Sequence, residues 1–552
     1  MNILIAHGYM LSGTGSNLYV SNVARGLVKK GHTAYVIAQE PDPEHCDFIH
    51  DVYLFNEDNS SVAHKHHAGQ PNQGTGLFFR PHLHGFLPVY VYDHYEGFVI
   101  KEFPQCSDKE IETYIEHNRK AFAYIMNNYP IDVILTNHTI MMPYIASLVL
   151  KRKTKHFITV HGSALNFSVK RDKRLLKYAF AGFESAQGIM VDSKHAYDEL
   201  KEFFEVNGIS AFLDKTQIIP AGVDTDLFTI AQTDKHEMLN RFKNGIRERV
   251  QKSKGRSKQL NSAVFSIGYD TVHDIEKNIE DIKNRYDYQY VDQDIIERLD
   301  TVFSDNHRIV VFIGKYLWTK GIYHIILAAP FILQHYPETR FVFIGFGPFR
   351  EIAEMLINCL TRKRFDLIDE LISTKNPFLC YENEKLFPMF EENYRKHFNR
   401  LHKTLASFKG DFANKFEFFG KIEHNLLKNL LPLADVLIAP SVFPEAFGMV
   451  AIEAMACGVY PVLTHQTAFK EINDLIKTHM KTMIIHMDDV LLDDTISLKL
   501  SKNITSLFSL FDQLHKQNNY EKFQQNLRNL VLSTHSWPSI VERYVSVFEK
   551  KY

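Results

Sequence analysis

Two stretches of this chain, residues 1–220 and 308–487, repeat one rhythm: a short apolar run, a turn, a segment of helical period, then another short apolar run. Apolar runs of this length, uninterrupted by polar residues, suit strands of a parallel sheet covered on both faces, with the helical segments as crossovers. The first stretch carries such runs at 1–7, 33–38, 131–136, 156–160, 188–191 and 217–220, and the second at 309–313, 341–344, 415–420, 435–439, 459–464 and 482–487. Two α/β domains follow, and 552 residues is too long for one compact domain. The expected division is residues 1–225, a charged helical insertion 226–305, a second domain 306–535 that contains a helical insertion 351–410, and a terminal helix 536–552. Periodicity is lost over 40–87, where His64-Lys65-His66-His67 and the following Gly, Gln, Pro and Asn predict a mobile loop. The aromatic run 89–98, with Tyr90, Tyr92, His94 and Tyr95, alternates like an edge strand.

Composition narrows the class. With 45% hydrophobic residues, 23% charged residues and a net charge of −2, the chain reads as a soluble globular protein without the basic excess that nucleic acid requires. Five scattered cysteines, none in a C-x-x-C pair, predict reduced thiols and a cytoplasmic setting. No apolar run reaches the ~18 residues of a membrane span. Peripheral contact with a membrane stays open through Lys170, Arg171, Lys173, Arg174 and Lys177, for which a solvated helix face is the plainer reading.

The densest chemistry lies at 435–461. A strand at 435–439 runs into the loop 441–446, and a helix starts near Phe447 and stops at Gly458. The first amides of such a helix, around Gly448, Met449 and Val450, have no intrahelical partner and favour an anion. Glu445 and Glu453 stand either side of that start. Next to a bound diphosphate, two carboxylates suit hydrogen bonds from sugar hydroxyls better than contact with phosphate. Lys315 and Lys320, five apart after another strand, suit the diphosphate itself. Near the N-terminus, Gly13 and Gly15 form a glycine-rich first turn. The position where a dinucleotide fingerprint needs its third glycine holds Leu18, so only Glu40 argues for a nicotinamide cofactor. His161-Gly162 ends a strand, where α/β sheets bind ligands. The three-histidine cluster at 64–67 and the D-x-D strings Asp224-Thr225-Asp226 and Asp292-Gln293-Asp294 lack the context of a metal site, and no metal or other cofactor is expected.

The string E-A-F-G-M-V-A-I-E-A-M-A-C-G-V-Y-P-V, starting at Glu445, resembles the E-x7-E signature of the retaining family 4 glycosyltransferases. Thr159-Val160-His161-Gly162, Ile219-Pro220-Ala221-Gly222-Val223-Asp224 and Gly345-Phe346-Gly347-Pro348 agree with further segments of that family. Lys315 stands where the family usually has arginine, which keeps cationic stabilisation but removes a bidentate fork. The resemblance implies a GT-B fold: two Rossmann-like domains facing each other across a cleft, with the C-terminal helix crossing back to the N-terminal domain. It implies metal-independent transfer of a hexosyl group from a nucleotide-diphosphate donor, UDP or GDP, to the hydroxyl of a glycan, lipid-linked or small-molecule acceptor. Glu445, Lys315, Lys320 and His161 would then be catalytic. Gly13, Gly15, Ile422, Phe447, Gly448, Met449, Val450 and Glu453 would bind the donor. A sugar-nucleotide epimerase of the same fold, a phosphorylase and a non-catalytic glycan-binding protein are the alternatives.

Overall fold

The computed structural model describes residues 1–13, 15–66, 73–91, 95–374, 387–445, 447–480 and 487–550. His67, Tyr92, His94, Cys380 and nearly all of the run expected at 482–487 lie outside them. The chain divides into two compact units, Met1–Gly222 with Thr534–Tyr552, and Val223–Ser533.

The first unit is built on β1 (Asn2–Ala6), β2 (Thr33–Ile37), β3 (Asp51–Phe55), β4 (Val62–His66), β5 (Thr75–Arg80), β6 (Phe86–Val89), β7 (Val99–Glu102), β8 (Val133–Asn137), β9 (Lys155–Val160), β10 (Gly188–Val191) and β11 (Thr216–Ile218). Nine of these strands form one sheet in the order β11-β10-β9-β8-β1-β2-β5-β3-β4, and β6 and β7 pair separately. Every pairing in the large sheet is parallel except β3 with β4. Ile3, Leu4 and Ile5 are all fully buried although neighbouring side chains point to opposite faces, so both faces of β1 are covered.

The described part of 40–87 is therefore not the expected loop: it supplies β3, β4, β5 and the start of β6, with β5 inserted beside β2. The expected edge strand at 89–98 is also displaced, since β6 ends at Val89. The helix Trp537–Glu549 completes this unit, as expected. Ser536 caps it, Tyr544 exchanges hydrogen bonds with Tyr19 at 2.7 Å and Thr159 at 2.8 Å, and Lys155 donates to the carbonyl of Phe548 at 2.7 Å. Ile540, Val541, Tyr544 and Phe548 are buried, each contributing about 1.5–3 kcal/mol as an upper figure.

The second unit has a five-stranded parallel sheet, β14-β13-β12-β15-β16, from β12 (Arg308–Ile313), β13 (Thr339–Ile344), β14 (Phe416–Phe418), β15 (Val436–Ala439) and β16 (Tyr460–Leu463). The helix Ile322–Leu333 is buried along its whole length at the centre of this core. The described residues of 226–305 and 351–410 are largely helical, and helices of both are packed into the core rather than solvated. Leu239, Phe242, Ile246, Ile275 and Ile279 from 226–305 join the same core as the sheet. Arg256, within the charged insertion, is fully buried and pairs with Glu354 at 2.7 Å and Glu351 at 2.6 Å on the helix Arg350–Thr361. Arg350 of that helix holds both oxygens of Asp292 at 2.7 and 2.8 Å, and Arg298 reaches the same carboxylate at 3.0 Å. Burial pushes the Asp292 carboxyl up, but the guanidiniums outweigh it and hold it below the usual carboxylate range. The second D-x-D string is thus an internal ion network that ties the insertion down.

Candidate active site

In the second unit the loops after β12, β13, β14 and β15 meet at the C-terminal edge of the sheet, where parallel α/β sheets bind ligands. The loop after β15 is tied to the one after β12: Val442 donates to the carbonyl of Thr319 at 2.9 Å, as does the Ser441 hydroxyl at 3.1 Å. These contacts bring Lys320 to Glu445, and the two side chains form an ion pair. The Glu445 amide donates to Thr467 Oγ1 at 3.0 Å, which fixes the backbone beneath the carboxylate.

The helix after this loop runs Met449–Ala456 and starts from Gly448 at φ 77°, with no side chain capping its amides and no acidic residue in its first turn. A β-carbon at Gly448 would lie 2.2 Å from the Phe469 ring, so only glycine satisfies both the positive φ and the space. Phe447, Met449 and Val450 are half-buried around that start. Glu453, 4% exposed, faces inward, and its Oε1 meets His424 Nε2 at 2.7 Å. Burial lowers the His424 imidazole, but the Glu453 carboxylate, the hydrogen bond to it and Asp224 outweigh burial and raise it. Sequence reasoning missed His424. A lone histidine after β14 carries no pattern, and its partner is 29 residues away.

Lys315 is exposed, and among the described residues no carboxylate pairs with it; its Nζ lies 5.9 Å from the centre of the Phe346 ring. The expected lysine pair is therefore engaged unequally, with Lys320 on a carboxylate and Lys315 free of one. Ile422 is buried in the core, so only its backbone could meet a ligand. A polar cavity of about 490 Å³ lined by Lys235, Arg308, Asp435 and His515 opens where β12 begins, at the other end of the strands from these residues.

The first unit's strand ends have a different chemistry. Gly13 and Gly15, at φ 99° and 61°, precede the helix Ser16–Lys29. Glu40 is buried and accepts from the amides of Leu11 at 2.9 Å and Ser12 at 3.1 Å and from the Ser12 hydroxyl at 2.9 Å. It braces this turn, which removes the one argument for a nicotinamide ribose. His161, 8% exposed, bonds through Nε2 to Asn137 Oδ1 at 3.1 Å, while Asn137 Nδ2 donates to the carbonyl of Ala6 at 3.2 Å. Burial, with His7 nearby, takes the His161 imidazole down to about 3. A neutral ring that donates through Nε2 keeps Nδ1 as an acceptor.

Beside it stand His7 and His138, which the sequence did not single out. Their rings stack at 5.5 Å, and His138 lies 4.9 Å from His161. His7 Nδ1, both nitrogens of His138 and Thr139 Oγ1 are buried without a hydrogen-bond partner among the described residues. His138 also sits at φ 70°. Burial holds His7 near 4 despite its bond to Asn17, and holds His138 well below the histidine range.

The metal strings resolve into other roles. His64 and His66 both bond Asp51, at 2.7 and 2.9 Å, across the exposed β3–β4 hairpin. Asp224 caps the turn that follows it, accepting from Asp226 and Leu227. Among the described residues no group of three or more His, Cys, Asp or Glu side chains is arranged to hold a metal ion, and no helix is long and apolar enough to cross a membrane.

Residues 13–227 match the family description "Glycosyltransferase Family 4", and residues 403–480 match "Glycosyl transferases group 1". An uncharacterized glycosyltransferase of Methanocaldococcus jannaschii is 24% identical over 297 residues, 53% of this chain and 58% of that protein. The gpi3 subunit of phosphatidylinositol N-acetylglucosaminyltransferase of Schizosaccharomyces pombe is 23% identical over 240 residues, 44% of this chain and 38% of that one. Each match thus spans less than two thirds of the relative's length. A glycosyltransferase from Rickettsia africae superposes with a TM-score of 0.50 at 15% identity, covering 99% of this chain and 97% of that one, a likeness that speaks for the fold alone. Two segments of the chain thus carry the family 4 and group 1 glycosyltransferase patterns, and the chain has the GT-B fold, with two Rossmann-like units.

Proposed function

We propose that the chain transfers a hexosyl group from a nucleoside diphosphate donor, with UDP or GDP as the leaving group, to an acceptor hydroxyl and retains the anomeric configuration. The observation that carries this reading is the edge of the second sheet, where a lysine free of carboxylates, a lysine–glutamate pair and uncapped helix amides come together. In such a transfer the bond from C1 to the diphosphate oxygen breaks with its electron pair going to the diphosphate. The acceptor oxygen bonds to C1, and its proton passes to the leaving phosphate. The chief demand is stabilisation of the departing charge and a fixed donor.

Lys315 and the amides at Gly448, Met449 and Val450 meet the diphosphate, with Lys320 beside them. Glu445, oriented by its ion pair with Lys320, accepts from sugar hydroxyls, and Glu453, backed by His424, accepts from the ribose. The backbone at Ile422 and Phe447 borders the nucleotide. In the first unit, Gly13, Gly15 and the neutral His161 offer close approach and hydrogen bonds to sugar or acceptor hydroxyls. Neither a metal nor another cofactor has a part in this scheme.

The acceptor we favour is lipid-linked, with the enzyme cytoplasmic and in peripheral contact with a membrane. One relative is named for transfer to phosphatidylinositol, and Lys170, Arg171, Lys173 and Lys177 are exposed in the first unit.

Calorimetric titration with UDP, GDP and ADP, each alone, tests the donor half: one of them binds, and failure of all three sinks the reading. Donor turnover that proceeds equally without any acceptor would point to an epimerase instead.

A further inference from the structure

We propose that Tyr288, carried by the inserted segment, forms with Phe346 and the amines of Lys315 and Lys421 a platform for the aromatic base of a nucleoside diphosphate. The proposal rests on the reading that the second unit binds such a donor, and it assigns part of that recognition to Tyr288, which lies outside both family-matched segments.

Phe346 follows β13, Lys315 follows β12 and Lys421 follows β14, so the three share the C-terminal edge of the sheet. The Lys421 amine lies 5.0 Å and the Lys315 amine 5.9 Å from the centre of the Phe346 ring. Both lysines are exposed, and among the described residues neither pairs with a carboxylate. Over the same phenyl ring lies Tyr288, with an interplanar angle of 9° and centroids 6.5 Å apart. That spacing is near the upper end for aromatic pairs, whereas Phe343 and Phe418 of the same unit pack directly at 4.6 Å. Tyr288 is 46% exposed and its neighbour Tyr290 37%, unusual for large rings in a unit that buries most of its aromatic side chains. Flat rings with open faces, beside two cations lacking an anion, suit a ligand that is aromatic at one end and anionic at the other.

The turn that presents Tyr288 is fixed rather than loose. The backbone amide of Asp287 donates to the carbonyl of Lys254 at 2.8 Å, that of Asp292 to Phe419 at 3.0 Å, and that of Lys421 to Tyr290 at 3.3 Å. Gly420, at φ 75°, lets the turn lie this close, since a β-carbon there would come within 2.6 Å of the Tyr290 carbonyl. Beneath it, Tyr286 bonds Glu351, and Asp292 is clamped by Arg350 and Arg298. The buried ion network thus sets the height and tilt of the exposed ring.

The test is calorimetry on the full chain and its Tyr288→Ala and Tyr288→Phe variants, with whichever of UDP, GDP or ADP binds the parent, and with inorganic pyrophosphate. Tyr288→Ala is expected to weaken the nucleotide about tenfold and leave pyrophosphate within about twofold, and Tyr288→Phe to restore the affinity. An unchanged thermal midpoint is expected for both variants, because the ring is exposed on a turn. Equal nucleotide affinity in parent and Tyr288→Ala, or an equal loss for pyrophosphate, overturns the platform while the donor reading stands. A parent chain that binds no nucleoside diphosphate removes both.

Discussion

The two sheets end in opposite chemistries. At the strand ends of the first unit stand neutral rings, His7, His138 and His161, with several buried ring nitrogens unpartnered among the described residues. At those of the second stand ions, most of them already paired: Lys320 with Glu445, and His424 with Glu453. Burial, aided by the repulsion of neighbouring imidazoles, explains the first pattern. The second keeps its charges because each has an opposite neighbour. One architecture, used twice, thus provides one edge suited to uncharged hydroxyls and another suited to a diphosphate.

The comparison breaks first at Glu445. Removing its carboxylate frees Lys320 and deletes the proposed sugar-hydroxyl acceptor, and Glu445→Ala is expected to lower kcat/KM by about 100- to 1,000-fold. Steady-state kinetics with the cognate donor check this; activity and donor affinity both near the parent's would remove Glu445 from the site.

Acid should separate the units next. His7 is neutral in the fold and held near 4, against an ordinary value of 6.5, so its contribution is fully present above pH 6.5 and is lost as pH falls toward 4. The loss for that residue alone is on the order of 3 kcal/mol, and His161 adds to it in the same direction. The chain has two tryptophans, Trp318 in the second unit and Trp537 in the first. Fluorescence of Trp318→Phe and Trp537→Phe variants therefore reports each unit alone. The Trp537 signal should unfold at the higher pH; coincident acid transitions would erase the contrast.

The smallest effect runs the other way. The His424 imidazole is raised by Glu453, so its contribution is present below pH 6.5 and is lost as pH rises through the raised value. The thermal midpoint reported by Trp318 should fall slightly across that range, and His424→Asn should flatten the slope.

Much of this was legible in the residues. Runs such as Ile3-Leu4-Ile5 and Val310-Val311-Phe312 announce doubly covered parallel strands, and Lys320, Glu445 and Gly448 mark the strand-end loops that the fold brings together. The strands within 40–87 were not, because β4 reads Val-Ala-His-Lys-His, an exposed edge strand with no apolar period. Nor was the partner of Arg256 legible, since Glu351 and Glu354 lie almost a hundred residues away on another element. His138 escaped notice for a related reason: its neighbours His7 and His161 come from other strands, and no local spacing links them.

The helix Trp537–Glu549 belongs to the first unit, yet all of Val223–Ser533 precedes it in the chain. A ribosome must therefore finish the second unit before the first can close over Tyr19 and Thr159. During that interval Tyr19, Thr159 and the apolar surface that receives Val541 and Phe548 stay uncovered, the interval in which chaperone binding or aggregation would compete with folding.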